Sequence, residues 1–343
     1  MKTTLKITII LSLITGGASC TSHVVDKKII DATELQFASR SCIKEWMRVP
    51  KDSINHVIVE DGTVCCFYIR EKKGENHLAL FDLEQNSPIR EIIPYGAKKD
   101  EMLLPFLTVT PGHLFLYDPV KKEATDIEVK KALEESSFIP SFYHTSVYSQ
   151  EVIPVKDRLL FLNQYSFKGK APRVLFSDRK WNYTETKHYN FDAMNVVDGS
   201  LQYNERLDRI AYLAEYLPVI ELMDGKGTLT KTIQFPHSVS DFVAVDHPNL
   251  QIVEYLFPDQ ASQPFPRFSF CCSDSNDEKI ACAYWREDWT FVVLVLDWEG
   301  NILDGFTVET RIKNISLSSD GESVYCWEEK ESECFLREYE ITD

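Results

Sequence analysis

The chain has 343 residues, 44% hydrophobic and 12% aromatic, enough apolar material to bury a large core, which excludes a disordered chain. With 37 Lys+Arg against 53 Asp+Glu, the formal charge is −16. That excess repels phosphate backbones and anionic lipid heads, and no basic block interleaved with aromatics offsets it, so nucleic-acid binding is not expected.

The N-terminus reads MKTTLKITIILSLITGGASC. Lys2 and Lys6 form a positive region, Ile7–Ile14 is an apolar stretch too short for a permanent membrane span, and Gly16, Gly17, Ala18 and Ser19 lead to Cys20. This resembles a bacterial lipoprotein signal, which implies removal of residues 1–19, lipidation of Cys20 and a short tether over 20–27. Gly17 stands where such signals usually carry an aliphatic residue. The plainer reading is cleavage near Ser19 without a lipid. Both readings imply export to the cell envelope, as an outer-membrane, periplasmic or surface-facing protein, with any membrane association made only through Cys20.

From residue 28 onward the chain repeats one pattern. EDGTVCCFY (from Glu60) and SDGESVYCW (from Ser319) each pair an acidic residue with Gly and run into an apolar, aromatic stretch, which predicts a tight turn followed by a strand. Related units begin at Thr110, Val155, Arg206 and Ser275. Their markers Asp61, Pro111, Asp157, Asp208, Asp277 and Asp320 lie 50, 46, 51, 69 and 43 residues apart, near the ~40–50-residue period of four-stranded propeller blades except for one long gap. A second unit follows, in which an apolar strand ends at Asp82, Asp178, Asp224 or Asp297 before a polar turn. Aspartate suits that place because its carboxylate closes the turn through backbone N–H groups. The expectation is an all-β, six-bladed β-propeller of four-stranded antiparallel blades over 28–343, with an insertion at about 235–267. The best helical candidate is VKKALEE near Val129. The strand closing the ring is sought near Lys28–Phe37.

The pattern resembles six-bladed TolB-like or NHL-like propellers, in particular a propeller lipoprotein family of Gram-negative gut anaerobes. The resemblance implies fold and location more than activity. Members often carry Gly-x-Gly-Pro-x-Glu after the first blade; here GAKKDE keeps only Gly96 and Glu101.

Cys65–Cys66 and Cys271–Cys272 are adjacent pairs without the C-x-x-C spacing of zinc or redox sites. In a regular strand neighbouring side chains point to opposite faces, so both pairs are read as packing. Cys326 and Cys334 flank a polar loop and are a possible cross-hairpin disulfide, while free thiols are the alternative. No H-E-x-x-H, G-x-S-x-G or phosphate-binding glycine loop occurs, and DSNDE at Asp274 is read as a turn in place of a calcium loop. Neither a cofactor nor a metal nor a catalytic residue is therefore assigned.

Propeller ligands meet loops at one end of the axis. Trp285 and Trp289 bracket Arg286 and Asp288 there, a pattern suited to a sugar or peptide, or simply two tryptophans capping strand ends. Tyr143 and His144 line a second candidate pocket or pack a blade junction, and the proline-rich Phe235–Arg267 insertion is a third candidate. The sequence expectation is a non-catalytic binding module for a glycan, peptide or envelope protein. Its alternative is a glycan lyase or hydrolase, which requires carboxylates, or His with Tyr, to converge at the axial mouth.

Overall fold

A computed structural model describes residues 25–51, 53–60, 63–70, 75–85, 87–103, 105–110, 112–135, 140–144, 151–162, 174–178, 183–185, 199–215, 219–236, 243–247, 252–256, 269–286 and 290–342. These residues are mostly strand, with almost no helix. Four strands in sequence order, Ile54–Glu60, Thr63–Arg70, Glu75–Asp82 and Ser87–Ile93, form the first sheet. The second runs from Phe106 to His144, the third from Val152 to Glu185, the fourth from Gly199 to Gln234 and the fifth from Ser269 to Val308. The sixth joins three strands between Arg311 and Glu340 to Lys44–Pro50. A separate hairpin, Val243–His247 with Ile252–Leu256, lies between the fourth and fifth sheets in the chain. The one α-helix among the described residues is Val129–Glu134, within the VKKALEE stretch.

The apolar runs explain why these sheets stack around an axis. In Phe291–Leu296 every residue is buried. Val292, Leu294 and Leu296 enter a cluster with Ile220 and Leu222 of the fourth sheet, whereas Val293 and Val295 join Val324 and Cys326 of the sixth. Strand alternation therefore sends successive side chains to the two neighbouring sheets, and a strand buried on both faces has no polar face to show. Leu159 and Phe161 likewise pack on the second sheet, and Leu160 and Leu162 on the fourth. Leu78 and Leu80 of the first sheet meet Leu114 and Leu116 of the second, and Trp327 and Leu336 of the sixth meet Val57 and Val59 of the first. The result is an all-β, propeller-like arrangement.

The predicted Asp turns are present. Asp82 Oδ1 accepts from the N–H groups of Glu84 and Gln85, Asp224 Oδ1 from Lys226 and Thr228, and Asp297 Oδ1 from Glu299 and Asn301. The side chain of Asp178 lies outside the described residues. Gly96 and Glu101 of the GAKKDE stretch belong together: Gly96 has φ +155, and a Cβ there would meet the Glu101 carboxylate at 2.0 Å.

Two expectations are corrected. Five sheets have the plain four-stranded form, not six; the fourth has a fifth strand, Asp26–Ile29, parallel to Leu229–Gln234. The closing strand is Lys44–Pro50, antiparallel to Glu333–Glu340, rather than Lys28–Phe37. Both differences have one cause: the N-terminal segment wraps the outer edges of three sheets before entering the first. After Asp26–Ile29 covers the fourth sheet's edge, Ser39 bridges Thr307 on the fifth, and the Phe37 ring lies where a Cβ on Gly305 would stand, 2.5 Å from its nearest atoms.

Arg40 secures this strap. Its guanidinium binds the Asp304 carboxylate with Nη1–Oδ2 at 2.5 Å and Nη2–Oδ1 at 2.9 Å, and also donates to Glu340 O and Thr342 Oγ1. Burial works against the Asp304 charge, but hydrogen bonds from Arg40 and from the N–H groups of Thr342 and Gly305 outweigh it and hold the carboxyl below its ordinary value. Inside the sixth sheet Tyr339 Oη donates to Glu328 Oε1 at 2.5 Å, and Arg337 links Glu328 to Glu45 of the closing strand.

Arg40→Ala leaves the Asp304 charge buried without its cation and is expected to cost about 3 kcal/mol at pH 7, read from the urea midpoint. Because the Asp304 pKa is lowered on folding, this contribution is present above the unfolded carboxyl value of about 3.9 and is lost as pH falls through the folded value. The stability gap between wild type and variant is therefore expected to narrow in urea titrations near pH 3.

Candidate functional site

The first strands of the sheets contact one another from the second sheet through the sixth and back to the first. Each is an edge strand, so its outward backbone groups have no strand partner and must be satisfied otherwise. Side chains of neighbouring sheets do this. Glu151 Oε1 accepts from the Leu201 N–H at 2.9 Å, Gln202 Nε2 donates to Ser273 O at 3.0 Å, and Asp274 Oδ2 accepts from the Leu317 N–H at 2.7 Å. Asn314 Nδ2 donates to Val57 O at 2.8 Å, and in the turn after the second sheet's first strand the Gly112 N–H donates to Glu60 Oε1 at 2.7 Å. Ser200 and Ser273 share a hydroxyl hydrogen bond of 2.6 Å, and Ser275 Oγ donates to Gln202 Oε1 at 3.0 Å.

A cavity of about 230 Å³ lies among these strands. Its walls come from every sheet: His56 and Ile58, Leu107 and Thr108, Glu151, Ser200 with Gln202 and Glu215, the run Phe270–Asp274, and Lys313–Ile315. Three of the contributing strands carry bulges, where register shifts between Ile54 and His56, between Phe270 and Cys272, and between Ile312 and Asn314. A bulge inserts an unpaired residue and re-aims its side chain. Lys313 and Cys271, two of the inserted residues, both line the cavity.

The electrostatics depart from those of a solvated surface. Burial pushes the Glu151 carboxyl up to about 7 against the hydrogen bond from Leu201, and burial pushes Asp274 up to about 6 against the N–H donors of Leu317 and Ser275. Burial, then the nearby Lys313 ammonium, lowers His56 to about 4, so its imidazole is neutral at pH 7. Lys313 pairs with Glu329 at 3.5 Å. All three shifted groups keep some contact with the cavity's solvent, so the energetic consequence is less than that of full enclosure. The cavity therefore offers neutral donors and acceptors (Thr108, Ser200, Gln202, Ser273, Asn314), two carboxyls that titrate near neutrality, and a lysine. Among the described residues no group of three or more His, Cys, Asp or Glu side chains is placed to hold a metal ion.

Of the residues singled out in the sequence as ligand contacts, Trp285, Arg286 and His144 have described side chains, and none of the three lines the cavity. Trp285 ends its strand half-buried, stacked on Phe291 with centroids 6.2 Å apart and packed against the core between the fifth and sixth sheets, while Arg286 is exposed. Asp288, Trp289 and the side chain of Tyr143 lie outside the described residues. His144 is exposed on the last strand of the second sheet, with Nδ1 3.8 Å from Glu123 Oε1. Trp285 pairs in register with Ser269, so it lies at the end of the sheet where the cavity-lining Phe270 begins, but neither it nor His144 lines the cavity. Side chains of the Phe235–Arg267 insertion beyond Pro236 also lie outside the described residues.

Asp274 is in a strand, and the turn after it is closed by Asn276 Oδ1, which accepts from Glu278 and Lys279. Cys326 and Cys334 are buried free thiols, Cys326 opposite Arg337 and Cys334 opposite Glu329, three places out of register for a bridge. Cys65 and Cys66 follow regular register opposite Leu80 and Ala79, with side chains outside the described residues. Cys271 and Cys272 depart from the expected split, because the bulge leaves Cys271 exposed while both it and buried Cys272 line the same cavity.

No protein-family model matches the chain, and no match is found among curated proteins. Its fold is similar to that of a member of the DUF4221 family from Bacteroides vulgatus, with a TM-score of 0.59 and 9% identity over 88% of this chain and 98% of the other. A candidate exported protein from Bacteroides fragilis gives a TM-score of 0.56 and 11% identity over 93% of this chain and 99% of the other. At these identities the likeness is one of fold.

The raised Glu151 pKa has a measurable consequence. The Glu151 contribution to stability is fully present below the unfolded glutamate value of about 4.3 and is lost as pH rises through about 7, by less than the ~4 kcal/mol of full enclosure. Glu151→Gln is expected to flatten that slope in urea titrations between pH 4 and 8.

Proposed function

We propose that the chain is an exported binding module that takes a small polar group, foremost one sugar unit of a glycan, into the axial cavity. One observation carries this reading: a cavity of about 230 Å³ whose walls combine neutral hydrogen-bonding side chains from several sheets. Such a volume is below the ~300–1,000 Å³ of drug-sized sites and suits a single ring or a short peptide terminus. Sugar hydroxyls need paired donors and acceptors, which Ser200, Gln202, Ser273 and Asn314 supply without a fixed charge. A six-sector ring, closed by the contacts of the sixth sheet with the first, supports a site shared by all sheets. Export is supported by the N-terminal pattern ending at Cys20, and lipidation there is part of the proposal. Trp285, Arg286, Asp288 and Trp289, with Tyr143 and His144, are proposed as outer contacts for the rest of a longer ligand.

A second reading is favoured by a different observation. Glu151 near 7, Asp274 near 6 and a neutral His56 in one cavity have the proton affinities of an acid–base set, as a glycan lyase or hydrolase requires.

Screening glycans and peptides against the purified chain is expected to give saturable glycan binding. Filling the cavity by Ser200→Phe or Thr108→Phe is expected to weaken it at least about tenfold, ~1.4 kcal/mol, and Ser200→Phe also loses the hydroxyl tie to Ser273. Full binding by both filled variants removes the axial site, and peptide-only binding removes the glycan. Product formation from a bound glycan, abolished by Glu151→Gln with binding retained, establishes the enzymatic reading in place of the binding module.

A further inference from the structure

The two adjacent thiols of the fifth sheet have an arrangement that a regular strand does not allow. Phe270 pairs with Tyr284 and Cys272 with Ala283, leaving Cys271 as the extra residue of the bulge. Cys271 is exposed and lines the cavity, and its Sγ lies 3.2 Å from Ala283 O, to which the thiol donates. Cys272 is 8% exposed and lines the same cavity. An accessible thiol beside a sheltered one is the arrangement in which the first reacts with an incoming oxidant and the second resolves it.

We propose that Cys271 and Cys272 form a vicinal dithiol that closes to a disulfide on the cavity wall by exchange with a small disulfide. The Cys271 thiolate attacks one sulfur of the incoming disulfide, forming a mixed disulfide and releasing one thiol. Cys272 then loses its proton and attacks the Cys271 sulfur, releasing the second thiol. Two S–H bonds are lost and one protein S–S bond forms, while the small disulfide is reduced to two thiols. Contact with the neighbouring thiol, then burial, raises the Cys272 pKa, which makes its attack the slow step and favours the start at Cys271. The ring formed by adjacent cysteines is strained, and strained, exposed disulfides are the readily reduced ones, so the bridge is expected to be reversible. This site does not depend on what the cavity binds.

The test treats the full chain with oxidised glutathione, then alkylates under denaturing conditions and maps peptides by mass. The peptide holding residues 271 and 272 is expected to lose two hydrogens, while Cys282, Cys326 and Cys334 remain alkylated. Cys65 and Cys66, consecutive in register opposite Ile58 and Val57 with no residue inserted between them, serve as the internal comparison and are expected to stay thiols. Cys272→Ser is expected to stop at a glutathione adduct on Cys271. A wild-type chain that also stops there, or that pairs Cys272 with Cys282 or Cys326, overturns the proposal. A measurement without variants uses phenylarsine oxide, whose arsenic bridges two thiols. One equivalent is expected to shield Cys271 and Cys272 from alkylation, and shielding of any other pair overturns the proposal.

Discussion

The structure depends on satisfying the inner edges of its sheets. A stack of sheets around an axis turns one edge strand of each inward, where open backbone groups face neither a strand partner nor bulk water. Here the deficit is met between sheets: Glu151 reaches Leu201, Asp274 reaches Leu317, and Asn314 reaches Val57. Ionisable and amide side chains are long enough to cross the gap between first strands, and a carboxylate accepts what an edge N–H offers. Buried polar groups left without such ties would each cost about 1–3 kcal/mol, a large part of a typical domain's stability.

The same solution creates the site. Groups placed at the axis to tie sheets together also face the space that the first strands cannot fill. Their confinement moves Glu151 and Asp274 toward neutrality and keeps His56 uncharged. Bulges refine this, since each adds a residue that the ladder does not hold and so frees Lys313 and Cys271 to line the cavity. Structural ties and chemical capacity thus reside in the same side chains, and substitutions that conserve shape while removing charge separate the two roles.

At the outer edge the requirement is the same and the means differ. The N-terminal segment supplies backbone itself, as a parallel strand on the fourth sheet, a bridge on the fifth and an antiparallel strand on the sixth. Arg40 anchors that strap where it crosses, joining Asp304 of the fifth sheet to the chain end at Glu340 and Thr342. Closure therefore links the first described residues to the last, and the strap and the final sheet are expected to form together.

Strand positions, Asp turns at Asp82, Asp224 and Asp297, and the short helix at Val129 were legible because they rest on local rules: alternation, turn chemistry and helical periodicity act over a few residues. The near-regular spacing of the turn-strand units carried the architecture, and the buried runs at Leu159–Leu162 and Phe291–Leu296 fit it because neighbouring sheets cover both their faces. What local order could not convey is which polar residues meet across the axis. Glu151, Gln202 and Asp274 resemble ordinary turn or surface residues, and only their shared position at the start of each sheet distinguished them. The separation of Cys271 from regular alternation, the out-of-register Cys326 and Cys334, and the path of residues 26–50 were likewise decided by the tertiary structure. A bulge, a register and an edge strap are relations between segments distant in the chain, set by which edges remain unpaired once the sheets have stacked.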